Sequence, residues 1–213
     1  DPNLMSTAAL VLDAKTGETL FAKNADAIHP IASITKLMTA MVVLDARLPL
    51  EEPLQITGDD IDHVKNTRSR LPVGSHFRRD DLMRLALMAS DNRAASALGR
   101  NYPGGLAAFV DAMNVLVGRL GLQDTHFMNA HGFSQPGHYS SAYDLALIAR
   151  RAAESCETPF MNVQDGFLTT HTIENVILPE LEFMKAYMGD PNDQLRCLFD
   201  PRNPMMTGVV QNQ

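Results

Sequence analysis

The stretch "HPIASITKLMTAMVVL", residues 29–44, combines an apolar helical pattern with one charged side chain. Apolar residues lie nearly all round the helical period, which predicts a buried central helix over Ala32–Asp45. Between Asp26 and Asp45, Lys36 is the only lysine, arginine or acidic residue, and it follows Ser33 by three positions. A cation in such a segment is costly to bury. Its presence therefore points to a chemical use.

Length and composition indicate an ordinary globular chain. The 213 residues are 45% hydrophobic, and no apolar run is long enough for a membrane span. The formal charge of −7 disfavours a nucleic-acid-binding surface. No signal-peptide pattern opens the sequence, so we expect either a processed mature form or a cytoplasmic protein.

Neither the cysteines nor the histidines form a metal-binding pattern. Cys156 and Cys197 match no zinc or redox spacing, and either buried thiols or one disulfide would account for them. His126, His131 and His138 show neither HxxxH nor HExxH spacing. We therefore expect no metal and no cofactor.

Periodicity predicts a hairpin followed by a block of helices. The predicted strands are Ala8–Leu12 and Glu18–Ala22, and four predicted helices follow the central one: 79–90, 92–100, 106–120 and 141–154. Beyond Glu154 prolines punctuate the sequence, and the type of the remaining elements is ambiguous.

The spacing of Ser33 and Lys36 suits nucleophilic catalysis. Positions i and i+3 share one face of a helix, with Cβ atoms roughly 5–6 Å apart. Burial disfavours a charged amine, so the pKa of Lys36 should fall and the neutral amine could take the serine proton. A simpler interpretation is a chance S-x-x-K in which Lys36 extends to solvent.

A second polar motif, Ser90-Asp91-Asn92, interrupts a helical pattern. These residue types prefer caps and turns to helix interiors, so an ordinary helix cap would also explain them. Placed beside the first motif, however, a serine hydroxyl and an asparagine amide would supply a proton relay and an anchor for a substrate amide. S-x-x-K with S-D-N and K-T-G is the signature of penicillin-binding proteins and class A β-lactamases.

With both motifs, the chain resembles the serine DD-peptidases, low-molecular-mass penicillin-binding proteins of the D-alanyl-D-alanine endopeptidase type. The segments that carry the resemblance are "HPIASITKLMTAMVVLDARLPL", "LALMASDNRAASALGRNYPGG" and "THFMNAHGFS". They lie within residues 8–154. We therefore predict a DD-peptidase-like region over residues 1–155 and a divergent C-terminal segment over 156–213.

The resemblance implies an α+β fold, an antiparallel sheet flanked by helices with a helical subdomain, as in β-lactamases and DD-peptidases. It implies Ser33 as the acylated nucleophile, Lys36 as its base, Ser90 as the proton relay and Asn92 as a substrate anchor. The expected substrate is the D-alanyl bond of peptidoglycan peptides, with β-lactam antibiotics as mimics. The expected compartment is the periplasm, which would place Asp1 near the mature start.

The third motif departs from the family pattern. The literal "KTG" at Lys15-Thr16-Gly17 precedes Ser33, and we interpret it as a hairpin turn in which Gly17 adopts positive φ. Downstream, Met206-Thr207-Gly208 is the candidate, with Thr207 and Gly208 as substrate-binding residues. Methionine there removes the cation that would hold a substrate carboxylate. Either the C-terminal segment still completes the sheet or the sheet is short of strands, and we favour the second interpretation.

Two alternative functions stay open. A class A β-lactamase needs a glutamate to activate water, and threonine occupies the corresponding position, Thr125. A non-catalytic peptidoglycan- or partner-binding homologue would fit the missing lysine at Met206. The sequence does not separate endopeptidase from carboxypeptidase activity, and it gives no oligomeric state.

Overall fold

The computed structural model describes residues 4–13, 16–62, 68–156, 199–200 and 203–204, with side chains as far as residue 151. Five helices and six short strands form in these ranges. The helices are α1 (Thr35–Asp45), α2 (Arg79–Met88), α3 (Asn92–Arg100), α4 (Gly105–Leu120) and α5 (Ala142–Cys156). The strands are β1 (Ala9–Leu12), β2 (Thr19–Lys23), β3 (Pro53–Gln55), β4 (His76–Arg78), β5 (Phe199–Asp200) and β6 (Asn203–Pro204).

Strands β1 and β2 form the predicted N-terminal hairpin. Strand β1 begins one residue later than predicted, and β2 is displaced by one residue towards the C-terminus. They pair antiparallel from Ala9↔Lys23 to Leu12↔Thr19. The connecting turn closes through an Asp13 carbonyl that accepts from Gly17 N–H at 2.8 Å, and Gly17 has a φ of +74°. The described part of the early K-T-G sequence is therefore a turn, as predicted.

Helix α1 lies at the centre of the helical block, where it contacts α2, α3, α4 and α5. Met38, Val42 and Val43 are 1–3% exposed and belong to the main hydrophobic core. Each such side chain stabilises the fold by about 1.5–3 kcal/mol relative to exposure. The prediction of a buried central helix is confirmed, although its first turn, Ala32–Ile34, is 3₁₀ and the α-helix begins at Thr35.

A second small sheet, which the sequence analysis missed, precedes α2. Strands β3 and β4 pair antiparallel from Pro53↔Arg78 to Gln55↔His76. Arg79, the first residue of α2, is 2% exposed, and its guanidinium bonds to Glu52 and to the Pro49 carbonyl. This ion pair holds the start of α2 and hence the direction in which the helix runs.

Contacts divide the chain into two compact units, residues 1–166 and 167–213. In the second unit β5 and β6 pair antiparallel. The predicted boundary after residue 155 concerns similarity to a family and stays a prediction. Thr207, Gly208 and Cys197 lie outside the described residues. The prediction that the C-terminal segment leaves the sheet short of strands concerns residues that also lie largely outside them.

None of the helices among the described residues is both long and apolar enough to span a membrane. In the same part of the chain, His, Cys, Asp and Glu side chains form no group of three or more that could hold a metal ion.

Candidate active site

Ser33 lies in the 3₁₀ turn that leads into α1. Its side chain is exposed, whereas Lys36, one turn later, is 2% exposed. Lys36 Nζ donates to Ser33 Oγ at 2.8 Å. The i,i+3 spacing thus produces the predicted contact between a serine hydroxyl and a buried amine.

The S-D-N motif forms the turn between α2 and α3. Ser90 has a φ of +52°, a left-handed conformation that non-glycine residues seldom adopt. Asp91 caps α3 by accepting from Ala94 N–H at 2.9 Å, and Ser69 Oγ donates to its other oxygen at 2.8 Å. The helix-cap interpretation is therefore correct for Asp91. By fixing the turn, this cap presents Ser90 and Asn92 towards α1.

The two motifs meet at Lys36 Nζ. Asn92 Oδ1 accepts from Nζ at 2.7 Å, and Ser90 Oγ lies at 3.4 Å from it. The His131 carbonyl accepts from Nζ at 3.0 Å. Counting Ser33, four oxygens surround an ammonium group that has three protons. A neutral amine would keep two protons for the two acceptors other than the serine hydroxyls and direct its lone pair at a hydroxyl.

Burial tunes this amine towards its neutral form. Desolvation lowers the pKa of Lys36 from 10.5 to about 8, against an opposing attraction to Asp91. At pH 7 roughly one Lys36 in ten is then uncharged, compared with roughly one in three thousand at a pKa of 10.5. The lowered pKa agrees with the expectation from the sequence, and the residue is suited to act as a general base near neutral pH.

The loop at residues 129–133 forms the third side of the site. Asn129 Oδ1 accepts from Gly132 N–H at 2.7 Å and from Phe133 N–H at 3.2 Å, which closes the loop on itself. Thr39 of α1 donates to the Ala130 carbonyl at 2.7 Å. The His131 carbonyl is thereby held where Lys36 needs an acceptor.

Gly132 lets this loop approach the 3₁₀ turn Ala32–Ile34, which carries the proposed nucleophile Ser33. A Cβ atom at this position would lie 1.8 Å from the Ala32 carbonyl oxygen and 3.0 Å from Thr35 Oγ1. The φ of +91° at Gly132 also disfavours any other residue. Only glycine therefore lets the loop come this close to the carbonyl of the residue that precedes Ser33.

The His131 side chain is uncharged near neutral pH. Burial, together with the nearby Lys36 cation, lowers the pKa of His131 to about 4, although Asp62 opposes the shift. The loop therefore contributes a polar carbonyl to Lys36 without adding a second positive charge beside it.

The structure brings together four of the six predicted site residues, namely Ser33, Lys36, Ser90 and Asn92, while Thr207 and Gly208 lie outside the described residues. The His131 carbonyl and Gly132 were not predicted from the sequence. The segment "THFMNAHGFS" contains both, but a carbonyl ligand leaves no signature of its own in a sequence.

Thr125, the position of the β-lactamase glutamate, is 7% exposed and occupied by structural contacts. Its hydroxyl donates to Asp144 Oδ2 at 2.7 Å and lies 2.6 Å from Ser140 Oγ. These bonds tie the loop before residue 129 to the start of α5. Thr125 thus has a structural role and offers no carboxylate to activate water.

Comparison with known proteins agrees with this geometry. Residues 1–177 match a family model described as D-alanyl-D-alanine carboxypeptidase. A D-alanyl-D-alanine endopeptidase of Pseudomonas aeruginosa is 49% identical over 150 residues, which cover 70% of this chain and 48% of the relative. The Escherichia coli K12 protein of the same name is 44% identical over 147 residues, covering 69% and 47%. The chain thus spans about half the length of these relatives.

Solved structures of the same group share the fold. Penicillin-binding protein 5 from Haemophilus influenzae superimposes with a TM-score of 0.69 at 28% identity, covering 74% of this chain and 47% of that one. The Streptomyces K15 DD-transpeptidase gives 0.67 at 31% identity, covering 72% and 62%. These likenesses confirm the predicted α+β fold of the DD-peptidase class. The family match extends over most of the chain, and the protein belongs to the D-alanyl-D-alanine carboxypeptidase family, peptidase family S11.

Proposed function

We propose that this chain carries the acylation centre of a serine DD-peptidase that cleaves D-alanyl bonds of peptidoglycan peptides through an acyl-serine intermediate. The observation that supports it most is the 2.8 Å bond between Lys36 Nζ and Ser33 Oγ, made by a buried amine whose pKa is lowered to about 8. A nucleophile and a base in hydrogen-bond contact are the minimum that such chemistry requires.

In the first step, neutral Lys36 takes the proton of Ser33 as Oγ attacks the carbonyl carbon of the D-alanyl bond. Asn92 Oδ1 and the His131 carbonyl bind the two other protons of the amine, so its lone pair is directed at a serine hydroxyl. Positioning of this kind lowers the barrier because the base does not have to reorient in the transition state.

In the second step, the tetrahedral intermediate collapses and the C–N bond breaks. The leaving amine must gain a proton, and we assign to Ser90 Oγ, 3.4 Å from Lys36 Nζ, the relay of one from the lysine ammonium. Water then hydrolyses the acyl-serine ester, which restores the Ser33 hydroxyl and releases the peptide with a free carboxylate.

The proposed substrates are peptidoglycan peptides, and the proposed mimics are β-lactam antibiotics. Relatives bear the names D-alanyl-D-alanine endopeptidase and D-alanyl-D-alanine carboxypeptidase, so the proposal includes both endopeptidase and carboxypeptidase activity. A structural neighbour is penicillin-binding protein 5 from Haemophilus influenzae, which supports penicillin as the probe. Because peptidoglycan lies outside the bacterial cytoplasm, the proposed compartment is the periplasm.

The direct test is the intact mass of the protein after incubation with benzylpenicillin. The wild type should gain one penicilloyl group, and Ser33→Ala should gain none. Ser75→Ala is the matched control, because Ser75 bonds to the Pro72 carbonyl in a turn and has no part in the proposed chemistry. An unlabelled wild type would refute the proposal and favour the non-catalytic interpretation.

The lifetime of the adduct separates this proposal from a β-lactamase. Thr125 offers no carboxylate to activate water, so the penicilloyl-enzyme should persist after removal of free penicillin. An adduct that disappears within seconds would favour the β-lactamase interpretation instead.

A further inference from the structure

A short chain segment before α5 holds together the elements that surround Ser33. Ser140 pairs with His29, donating to it at 3.1 Å and accepting from it at 2.9 Å. Tyr139 pairs in the same way with His126, at 3.0 and 2.9 Å. Residues 138–140 therefore link the chain that leads to the nucleophile turn with the loop that carries the His131 carbonyl.

His138 extends this link to α1 itself. The imidazole is 3% exposed, and His138 Nε2 lies 2.8 Å from Thr35 Oγ1. The Thr35 side chain is fully buried, and Thr35 lies between Ser33 and Lys36 in the sequence. Its backbone N–H bonds to the Ala32 and Ser33 carbonyls, so a displacement of Thr35 would displace the nucleophile turn.

The second ring nitrogen fixes the tautomer of His138. Met128 N–H donates to Nδ1 at 3.1 Å, so Nδ1 must be unprotonated and act as an acceptor. In a neutral imidazole the proton then lies on Nε2, which donates to Thr35 Oγ1. Burial and the nearby His126 lower the pKa of His138 to about 4, in agreement with a neutral ring.

We infer that His138 is a positioning residue for the acylation reaction, holding Thr35 through Nε2–H and the loop through Nδ1. This inference rests on the proposed function for its kinetic consequence. The ring of His138 bonds to the Thr35 hydroxyl and to Met128 N–H. Any effect of His138 on Ser33 therefore passes through Thr35. The hydrogen bonds of the ring can be tested whether or not the protein is active.

Two substitutions separate the two bonds of the ring. The amide nitrogen of Gln reaches the position of Nε2, so His138→Gln keeps a donor to Thr35 and loses the acceptor for Met128 N–H. The amide oxygen of Asn reaches the position of Nδ1, so His138→Asn keeps that acceptor and loses the donor. The two variants are matched in charge and polarity.

We expect the rate of penicillin acylation to fall about tenfold in His138→Asn, the size of one net hydrogen bond. In His138→Gln the rate of acylation should stay within about threefold of the wild-type rate. Thr35→Val removes the hydroxyl at constant shape and should match the Asn variant. The double variant Thr35→Val/His138→Asn should be no slower than either single one, because both remove the same bond.

The pH profile distinguishes positioning from a change in the base. The midpoint of acylation in His138→Asn should stay near that of the wild type, while the plateau falls. Equal rates in the Asn and Gln variants, or additive losses in the double variant, would overturn the inference.

An NMR measurement that does not depend on activity separates this test from the test of the proposed function. In ¹⁵N-histidine NMR at pH 7, His138 should show a proton on Nε2 and an unprotonated Nδ1. A proton on Nδ1 would overturn the inference even if the wild type acylates normally. An unlabelled wild type with the expected tautomer would refute the proposed function and leave the bond to Thr35 established.

Discussion

Replacing Lys36 by Met should change how stability depends on pH. Methionine has a similar length and no charge, so it removes the amine with little change of packing. Because burial lowers the pKa of Lys36, the folded state holds this proton less tightly than the unfolded chain does. Between the two pKa values the wild type therefore gains stability as the pH rises, and the variant lacks that contribution.

The size of this change in the free energy of unfolding follows from the two pKa values of Lys36, 10.5 in the unfolded chain and about 8 in the folded protein. The charged lysine costs about 3 kcal/mol of stability at pH 7 and about 2 kcal/mol at pH 9. The wild type should thus gain roughly 1 kcal/mol relative to Lys36→Met between these pH values. At pH 7 removal of the charge offsets the loss of the hydrogen bonds to Asn92 and His131, so the variant should stay folded.

The assay is urea unfolding of both proteins at pH 7, 8 and 9, compared at equal m-values. Lys23→Met, on the N-terminal hairpin, controls for the general effect of removing one positive charge. A stability difference between wild type and Lys36→Met that is constant from pH 7 to 9 would show that the amine is not held at a lowered pKa. Lys36→Met should also abolish penicillin labelling, which a role confined to packing would not explain.

Three further outcomes test other parts of the site. The rate at which penicillin labels Ser33 should increase about tenfold for each pH unit below about 8 and level off above it, because a neutral amine is needed; a rate that is flat from pH 6 to 9 would exclude the buried lysine as base. Gly132→Ala should abolish labelling and cost several kcal/mol in chemical denaturation, whereas Gly74→Ala, at the same φ of +91° but in open space, should cost only about 1 kcal/mol; equal costs would contradict the close contact. Asp91→Ala should lower stability by about 0.5–2 kcal/mol in urea unfolding and slow labelling, since it removes the cap of α3; unchanged labelling would mean that the cap does not position the turn.

The sequence predicts the local part of the site well because that part depends on spacing along one helix. Ser33 and Lys36 are three residues apart, and that helical spacing predicts that their side chains share one face. The residues around Ser90 prefer turns, which predicts the break between α2 and α3. That the two motifs meet came from the resemblance to a family, because no propensity determines how two helices pack.

Other parts of the fold and of the site could not be predicted from the sequence, and each of these failures has a physical cause. The His131 carbonyl reaches Lys36 across 95 residues of sequence, and every residue has a carbonyl, so its identity carries no signal. The strands β3 and β4 have three residues each, too few for an alternating pattern to stand out. The requirement for glycine at 132 arises from contact with Ala32, which is visible only in three dimensions.

Backbone strain at the candidate site indicates that tertiary contacts, and not local preference, hold its geometry. Four non-glycine residues in the described part of the chain have positive φ, and two of them belong to the site: Ala32 precedes Ser33, and Ser90 lies beside Lys36. Such conformations cost about 1–2 kcal/mol each and persist only where their surroundings impose them. The loop at Gly132 lies against the carbonyl of one turn, where a Cβ would have no room, and the Asp91 cap anchors the other. The hydroxyls of Ser33 and Ser90 are thus presented to the buried amine by turns that local preference disfavours, so the contact between Lys36 and Ser33 depends on the packed helical block as a whole.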